Sequence, residues 1–163
     1  MSTITPTAIR HRIGIHAPQA RVHEAIATAE GVASWWTSKT TGDGGEGGRM
    51  HLSFNGADGA VDGTFGVDDR SMVIEVVSVT PDRIEWRCVE GPEEWLVTDF
   101  VFELSRDGDE TVVLFTQGGW AEPVAFQAHC SAKWAVYLLS LKSLLERGEG
   151  RAFPNDVHVS AWD

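Results

Sequence analysis

Histidine and cysteine are the side chains here most able to catalyse a reaction or to hold a metal, and their spacing matches neither use. The six histidines are His11, His16, His23, His51, His129 and His158. None pairs with another histidine, or with Cys, Asp or Glu, at metal-ligand spacing. His129 and Cys130 are adjacent, and because neighbours on a helix point about 100° apart, a nucleophile pair would need a different partner for each. We therefore predict no metal, no cofactor and no catalytic residue, and we favour a non-enzymatic role.

The remaining chemical candidates have plainer interpretations. Cys88 and Cys130 match no metal or redox spacing, so we predict two buried thiols. The glycine-rich segment 42–48, GDGGEGG, lacks the strand before it and the Lys-Ser or helix after it that phosphate binding needs. It is predicted to be a loop.

Aromatic residues are the strongest signal in the sequence. Seven tryptophans accompany a single tyrosine in 163 residues, and Trp35 and Trp36 are adjacent. Sites for small molecules are lined mainly by apolar and aromatic side chains, with few polar groups. The location of these indoles in the fold is therefore the main clue to function.

Composition restricts the possible partners. Asp and Glu number 24 against 13 Lys and Arg, a net charge of −11 that nucleic-acid phosphates and anionic lipids repel. No run of about 18 apolar residues is present, and the first residues lack the apolar core of a secretory signal. We expect a cytoplasmic protein that neither binds nucleic acid nor inserts into a membrane. Its length and continuous composition predict a single domain over residues 1–163.

The beginning of the chain predicts one strand followed by two short helices. Apolar residues alternate over residues 8–16, which is strand spacing, with His11 on the inward face. Over residues 17–31 they recur every three or four positions, as in a helix that Gly31 is expected to stop. Residues 32–36, VASWW, are predicted to form the second helix.

The middle of the chain predicts about six strands connected as a meander. Alternating or β-branched segments bounded by Gly, Asp and Pro lie at 49–54, 59–67, 71–79, 83–89, 95–105 and 111–120. Asp107 and Gly108 have the chemistry of a hairpin turn between the last two. Such local connections imply antiparallel pairing and a sheet with one face that needs cover.

The end of the chain predicts a long helix and an irregular tail. No Gly or Pro interrupts the sequence between Pro123 and Gly148. The apolar arc of this helix contains Phe126, Cys130, Trp134, Tyr137, Leu138, Leu141, Leu144 and Leu145. Leu139 points away from that arc. Only this helix is large enough to cover the sheet, whereas the tail, residues 149–163, has no period and is expected to lie irregularly over the surface.

The order of these elements resembles a known superfamily. The resemblance is carried by the segments APQARVHEAIATAEGVASWW, VTPDRIEW, TQGGW and CSAKWAVYLLSLKSLLERG. Together they resemble the START-related (SRPBCC) superfamily, and within it the branch similar to activators of the heat-shock chaperone ATPase. The resemblance implies an α+β helix-grip fold, in which a curved antiparallel sheet of about six or seven strands wraps around the C-terminal helix. It also implies a cavity between sheet and helix that opens near the two short helices.

In such a fold the candidates for the cavity lining are apolar residues on the facing surfaces of sheet and helix. They are Trp36, Phe54, Trp86, Phe100, Phe102, Trp134, Tyr137, Leu138 and Leu141. Trp35 is assigned to the core, whereas Trp36 either lines the cavity or plugs the end of the core. The glycine-rich segment is expected to be a mobile lip. His11 and His51 are the candidate polar contacts, because a buried ionisable group needs a partner or a polar ligand head.

Three functions are compatible with this fold. The favoured one is binding of a small, largely apolar molecule, lipid-like or polyketide-like, since members of the superfamily bind such ligands. The alternative is a chaperone-contacting module, which would act through an exposed patch. The third is a cyclase-like or hydrolase-like enzyme, which would place His11 or Glu75 in the cavity, hydrogen-bonded to a second polar side chain.

Overall fold

The α+β helix-grip architecture expected from the sequence is confirmed. The computed structural model describes residues 8–55 and 70–163, and these form a curved, seven-stranded antiparallel sheet together with three α-helices. The strands are β1 Ile9–Ile15, β2 Thr40–Gly42, β3 Arg49–Ser53, β4 Ser71–Thr80, β5 Arg83–Glu90, β6 Asp99–Asp107 and β7 Glu110–Gly118. The helices are α1 Gln19–Ala27, α2 Ala29–Trp35 and α3 Ala125–Arg147. The strand predicted at 59–67 lies outside the described residues.

The sheet is a meander to which β1 is added at one edge by a long-range pairing. Strands β2 to β7 are neighbours in chain order, and β1 pairs with β7, giving the order β1-β7-β6-β5-β4-β3-β2. The hairpin predicted between β6 and β7 is confirmed, because Asp107 pairs with Glu110 and Gly108 has the left-handed φ of 58° that such turns require.

The boundary between the two short helices differs from the prediction. α1 ends before Thr28, whose extended backbone breaks the helix and whose hydroxyl accepts the N–H of Gly31 at 3.0 Å. Gly31 therefore lies in the first turn of α2 and does not stop α1. A Cβ at this position would lie 2.4 Å from the carbonyl oxygen of Ala25, so glycine is required by the close approach of the two helices.

Two further segments correct the sequence-based expectations. Residues Glu93–Trp95 form a short 3-10 helix, so β6 begins at Asp99 and not at residue 95. The glycine-rich loop is tied to β4 by hydrogen bonds of 2.9 Å from Gly47 N to Val76 O and from Val76 N to Gly48 O. It is a hydrogen-bonded edge of the sheet, away from the cavity described below, and not a lip.

Helix α3 packs its apolar arc against the sheet as predicted. Trp134, Leu138 and Leu141 are fully buried, whereas Leu139 on the outer face is 56% exposed. Gly148, with a φ of 82°, ends the helix. No helix in the described part of the chain is long and apolar enough to cross a membrane.

The tail after α3 contains neither helix nor strand, and it crosses back over the segment that follows α2. The N–H of Phe153 donates to Trp36 O at 2.9 Å, and the N–H of Ser38 donates to Phe153 O at 3.0 Å. The tail thereby reaches the open end of the space beneath the sheet.

Candidate ligand-binding cavity

A cavity of about 1030 Å³ lies between β4, the 3-10 helix, the first half of α3 and the tail. Five of its aromatic lining residues come from the body of the domain: Trp36, Phe54, Trp95, Trp134 and Tyr137. Three more come from the start of α3 and the tail: Phe126, Phe153 and Trp162. A wall of this size that combines many aromatic side chains with a few polar groups is typical of a site for a small molecule.

Trp36 is at the centre of the aromatic cluster and also forms part of the cavity wall. Its ring stacks on Trp86 at a centroid distance of 5.9 Å and an interplanar angle of 3°, and it contacts Trp134 at 4.9 Å. Only 1% of Trp36 is exposed. Trp35 is also buried, but its indole N–H donates to Ala25 O at 2.9 Å and it does not line the cavity. Of the two adjacent indoles, Trp36 is the one that the structure places on the wall.

A buried chain of hydrogen bonds positions two of the wall tryptophans. Trp134 Nε1 donates to Gln117 Oε1 at 3.0 Å, and Gln117 Nε2 donates to Thr98 Oγ1 at 3.1 Å. Thr98 Oγ1 in turn donates to Trp95 O at 2.7 Å. Because unpaired buried polar groups are costly, this chain holds the α3 wall and the 3-10 helix in one arrangement. Gln117 was not predicted from the sequence, where its only signal is an amide on a strand that is apolar on both faces.

The structure divides the nine apolar candidates into two groups. On the cavity wall lie Trp36, Phe54, Trp134 and Tyr137. In the filled core, away from the wall, lie Trp86, Phe100, Phe102, Leu138 and Leu141. The second group lies under the middle of the sheet, where the rings interlock: Trp86 and Phe102 are 4.7 Å apart between centroids. The open space is displaced toward the tail.

The two polar candidates lie away from this cavity. His11 Nε2 is 3.0 Å from Ser131 O, where β1 passes α3. His51 is exposed on β3, on the same outer face as Arg49, whose guanidinium pairs with Glu75 at 3.2 Å. Neither histidine is among the lining residues, since strand alternation puts His51 on the solvent face and the ring of His11 is used in contacting α3.

The polar part of the wall is instead built around Lys133 of α3. Its ammonium forms salt bridges with Asp156 and, at 2.9 Å, with Asp163, both from the tail. The side chains of Lys133 and Asp156 are only 12% and 8% exposed. Such a largely buried ion pair is favourable only when its remaining polar groups are also satisfied. Tyr137 helps to meet this requirement, because its hydroxyl donates to Asp156 Oδ2 at 2.8 Å.

The protonation states of this cluster follow from its surroundings. Burial, and then the neighbouring Asp156 carboxylate, raise the pKa of Tyr137 well above its ordinary value, so the phenol stays protonated as a donor. Burial raises the pKa of Asp163, but hydrogen bonds from Ser160 N, Lys133 and Val159 N outweigh it and hold that pKa below its ordinary value. Asp163 is therefore ionised at neutral pH.

His129 and Cys130 both line the cavity without acting as a pair. His129 Nδ1 is 2.7 Å from Ser160 Oγ, and burial lowers the pKa of its imidazole. Cys130 Sγ accepts the indole N–H of Trp95 at 3.4 Å, and burial raises the pKa of its thiol to about 12. A thiol held in this state is a poor nucleophile. The prediction that Cys88 and Cys130 are buried free thiols is confirmed.

The contribution of the tail to this site was not predicted from the sequence. The tail supplies Phe153, Pro154, Asp156, His158, Trp162 and Asp163 to the wall. Its residues follow no helical or strand period, so a periodicity analysis could not orient them. The one available signal was composition, since two aromatics and two carboxylates within eleven residues are unusual for a surface tail.

Comparison with known proteins identifies the family. The sequence model of the family described as "Activator of Hsp90 ATPase homolog 1-like protein" matches residues 16–146. The chain belongs to this family. The search of curated proteins found no match.

Solved structures agree with this family assignment. The solution structure of the Aha1 dimer from Colwellia psychrerythraea is 35% identical, with 88% of this chain and 99% of that chain covered and a TM-score of 0.74. DynU16, from the dynemicin biosynthetic locus, is 23% identical over 88% of this chain and 48% of its own, with a TM-score of 0.66. CalU16 from Micromonospora echinospora is 18% identical over 90% of this chain and 69% of its own, with a TM-score of 0.64. The last two show a shared fold.

Proposed function

We propose that this protein binds a small, largely apolar molecule in the cavity between β4, α3 and the tail. The single observation that supports the proposal most is an aromatic-walled space of about 1030 Å³ directly beside a core whose rings are in contact. Apolar surface that faces such an open space is unfavourable in water, and contiguous exposed apolar surface usually marks a binding site. The occurrence of this fold in proteins of a biosynthetic locus, such as DynU16, is compatible with this role.

Native mass spectrometry of freshly purified protein, before and after organic extraction, tests the proposal. We expect a mass above that of the polypeptide before extraction and the bare chain afterwards. Bare protein at both stages, together with no binding of apolar aromatic probes, would contradict it. The same spectra report whether the chain is a dimer, as its Aha1 relative is.

A matched pair of variants on α3 localises the binding. Phe126→Asp puts a carboxylate on the apolar wall, and we expect retention of the bound molecule to fall about tenfold or more, since the charge must be desolvated against an apolar ligand. Leu139→Asp makes the same change on the exposed face of the same helix and should leave retention unchanged. Equal effects of the two substitutions would contradict binding at this wall.

A second candidate function is contact with a chaperone ATPase, which the family description suggests. The supporting observation is an exposed apolar pair before β6, where Val97 is 75% exposed beside Leu96. Val97 also has a φ of 70°, an unfavourable backbone for a β-branched residue. If this candidate is right, the protein raises the ATPase rate of purified Hsp90, and replacing Leu96 and Val97 by serine abolishes the increase while ligand binding is retained.

The enzyme hypothesis has less support from the geometry. It required His11 or Glu75 in the cavity, whereas His11 contacts α3 and Glu75 pairs with Arg49 on the outer face of the sheet. The groups that do line the cavity beside Lys133 are already bonded to one another.

A further inference from the structure

The charges around the cavity distinguish between classes of apolar ligand. Four carboxylates line it, those of Glu93, Glu94, Asp156 and Asp163, against the two basic side chains of Arg70 and Lys133. The whole chain carries the same excess, with a net charge of −11. With the histidines neutral, the potential at the mouth opposes a fatty acid or another anionic ligand and attracts a cation.

Lys133 cannot compensate for this excess by binding an acidic ligand group. Its ammonium has three protons, and three acceptors already surround it: Asp156 Oδ2, Asp163 Oδ2 at 2.9 Å and Val157 O at 3.3 Å. A ligand carboxylate would have to displace one of these three acceptors and would then lie beside the two aspartates in a largely buried place, which is unfavourable.

Asp156 is different, because one of its two oxygens is still available. Oδ2 accepts from both Lys133 and Tyr137, whereas Oδ1 has no hydrogen-bond partner among the described residues. The side chain is only 8% exposed and lies on the cavity wall. An unoccupied carboxylate oxygen in such surroundings is a strong acceptor for a charged N–H group.

The cavity wall also carries aromatic rings that face the open space. Trp162 of the tail is 45% exposed, its ring centroid lies 6.4 Å from that of Phe126, and both rings line the cavity. Indole faces attract cations as well as other aromatic rings. Both the charge and the aromatic content of the wall therefore favour the same kind of molecule.

We infer that the ligand is a planar aromatic molecule carrying a basic nitrogen, with the ring against the aromatic wall of the cavity and the nitrogen at Asp156. The inference rests on the proposed function and specifies the class of molecule that the cavity takes.

Three fluorescent probes of nearly equal size test it: 9-(aminomethyl)anthracene, 9-anthracenemethanol and 9-anthracenecarboxylate, cationic, neutral and anionic at pH 7. At fixed ionic strength we expect the amine to bind most tightly and the carboxylate most weakly. The dissociation constant of the amine should be about tenfold lower than that of the alcohol. Asp156→Asn should remove most of that preference, since the amide keeps the shape and loses the charge. Glu103→Gln, on an exposed residue of β6, should leave it unchanged.

The outcomes separate this inference from the proposed function. If the alcohol or the carboxylate binds as tightly as the amine, the inference fails while the cavity remains a binding site. If the preference persists in Asp156→Asn and instead disappears in the double variant Glu93→Gln, Glu94→Gln, the assignment of the nitrogen to Asp156 is wrong. If none of the three probes binds although native mass spectrometry detects a bound molecule, the inference alone fails; if none binds and the protein is also bare in native mass spectrometry, the proposed function fails with it. Should Asp156→Asn not fold, the double variant at the exposed rim must at least halve the preference, or the electrostatic argument is wrong.

Discussion

The space beneath the sheet has two regions that are both rich in aromatic side chains and that differ in how tightly these side chains pack. Under the middle of the sheet, Phe102 lies between Trp86 at 4.7 Å and Phe115 at 5.1 Å, and all three are fully buried. At the tail end, the ring centroids of Phe126 and Trp162 are 6.4 Å apart, and both rings border a cavity of about 1030 Å³.

The difference comes from the elements that carry these side chains. Rings on hydrogen-bonded strands are held about 5 Å apart by the ladder and interlock against α3. The cavity wall comes from a helix start, a 3-10 helix and a tail, which share no ladder and are fixed by ion pairs and hydrogen bonds around Lys133. The aromatic content of the sequence thus indicates where apolar surface lies. Whether the rings pack against one another or leave a cavity depends on whether the elements that carry them are hydrogen-bonded strands.

Truncation in the packed region should have the largest effect on stability. We expect Phe102→Ala to lower the free energy of unfolding by about 3–5 kcal/mol, because it leaves a cavity that interlocked neighbours cannot fill. Urea denaturation followed by circular dichroism measures the change. A loss below about 1 kcal/mol would mean that this region is as loosely packed as the tail end.

Removing the positive charge of Lys133 should have the second-largest effect on stability. Lys133→Met leaves Asp156 and Asp163 without their partner, and we expect a loss of about 3 kcal/mol in unfolding free energy. Lys142→Met is the matched control on the same helix: its pair with Glu146 is more exposed, and a loss below about 1 kcal/mol is expected. Equal losses would show that the tail is not held by the buried pair.

Lowering the pH should reduce the contribution that Asp163 makes to the stability of the tail. Its pKa is held below the ordinary value in the folded protein, so its stabilisation is complete above the unfolded-state pKa of about 3.9 and is lost as the pH falls through the lower folded-state pKa. The difference in unfolding free energy between wild type and Asp163→Asn should therefore shrink as pH is lowered from about 6 to about 3. Asp107→Asn, at an exposed pair with Arg12, serves as the control. A difference that stays constant with pH would refute the role of Asp163.

Truncation at the cavity wall should have the smallest effect on stability. Phe126 is half-buried and borders open space, so we expect Phe126→Ala to cost about 1 kcal/mol or less. The comparison with Phe102→Ala isolates packing, since the same side chain is removed in both. A cost near that of Phe102→Ala would indicate that the wall is packed and that the cavity is not a binding space.

Much of the fold could be predicted because its elements are defined by local patterns. The even spacing of β1, the hairpin at Asp107 and Gly108, and the arc of α3 each follow from residues within one element. The predictions that needed correction concern contacts between elements. Gly31 looked like a helix stop and is instead a close-packing residue, because the approach of Ala25 cannot be seen in a helical period.

The candidate site was predictable only in part for the same reason. Strand parity and helical arc identify which side chains point inward, and the arc of α3 placed Trp134 correctly beneath the sheet, whereas Trp36 was placed by the family resemblance. They cannot separate an inward residue that meets another ring, such as Phe102, from one that meets a void, such as Phe54.

By itself, the sequence determined the strand meander, the covering helix and the family, since hydrophobic period and turn chemistry act over a few residues at a time. Only the tertiary structure decided where the apolar surface remains open and which charges border it. The tail has no period of its own, and its place is set by long-range partners, Phe153 on Trp36 and Asp156 on Lys133. Such contacts depend on the whole fold being in place, and they turn part of an aromatic core into a cavity.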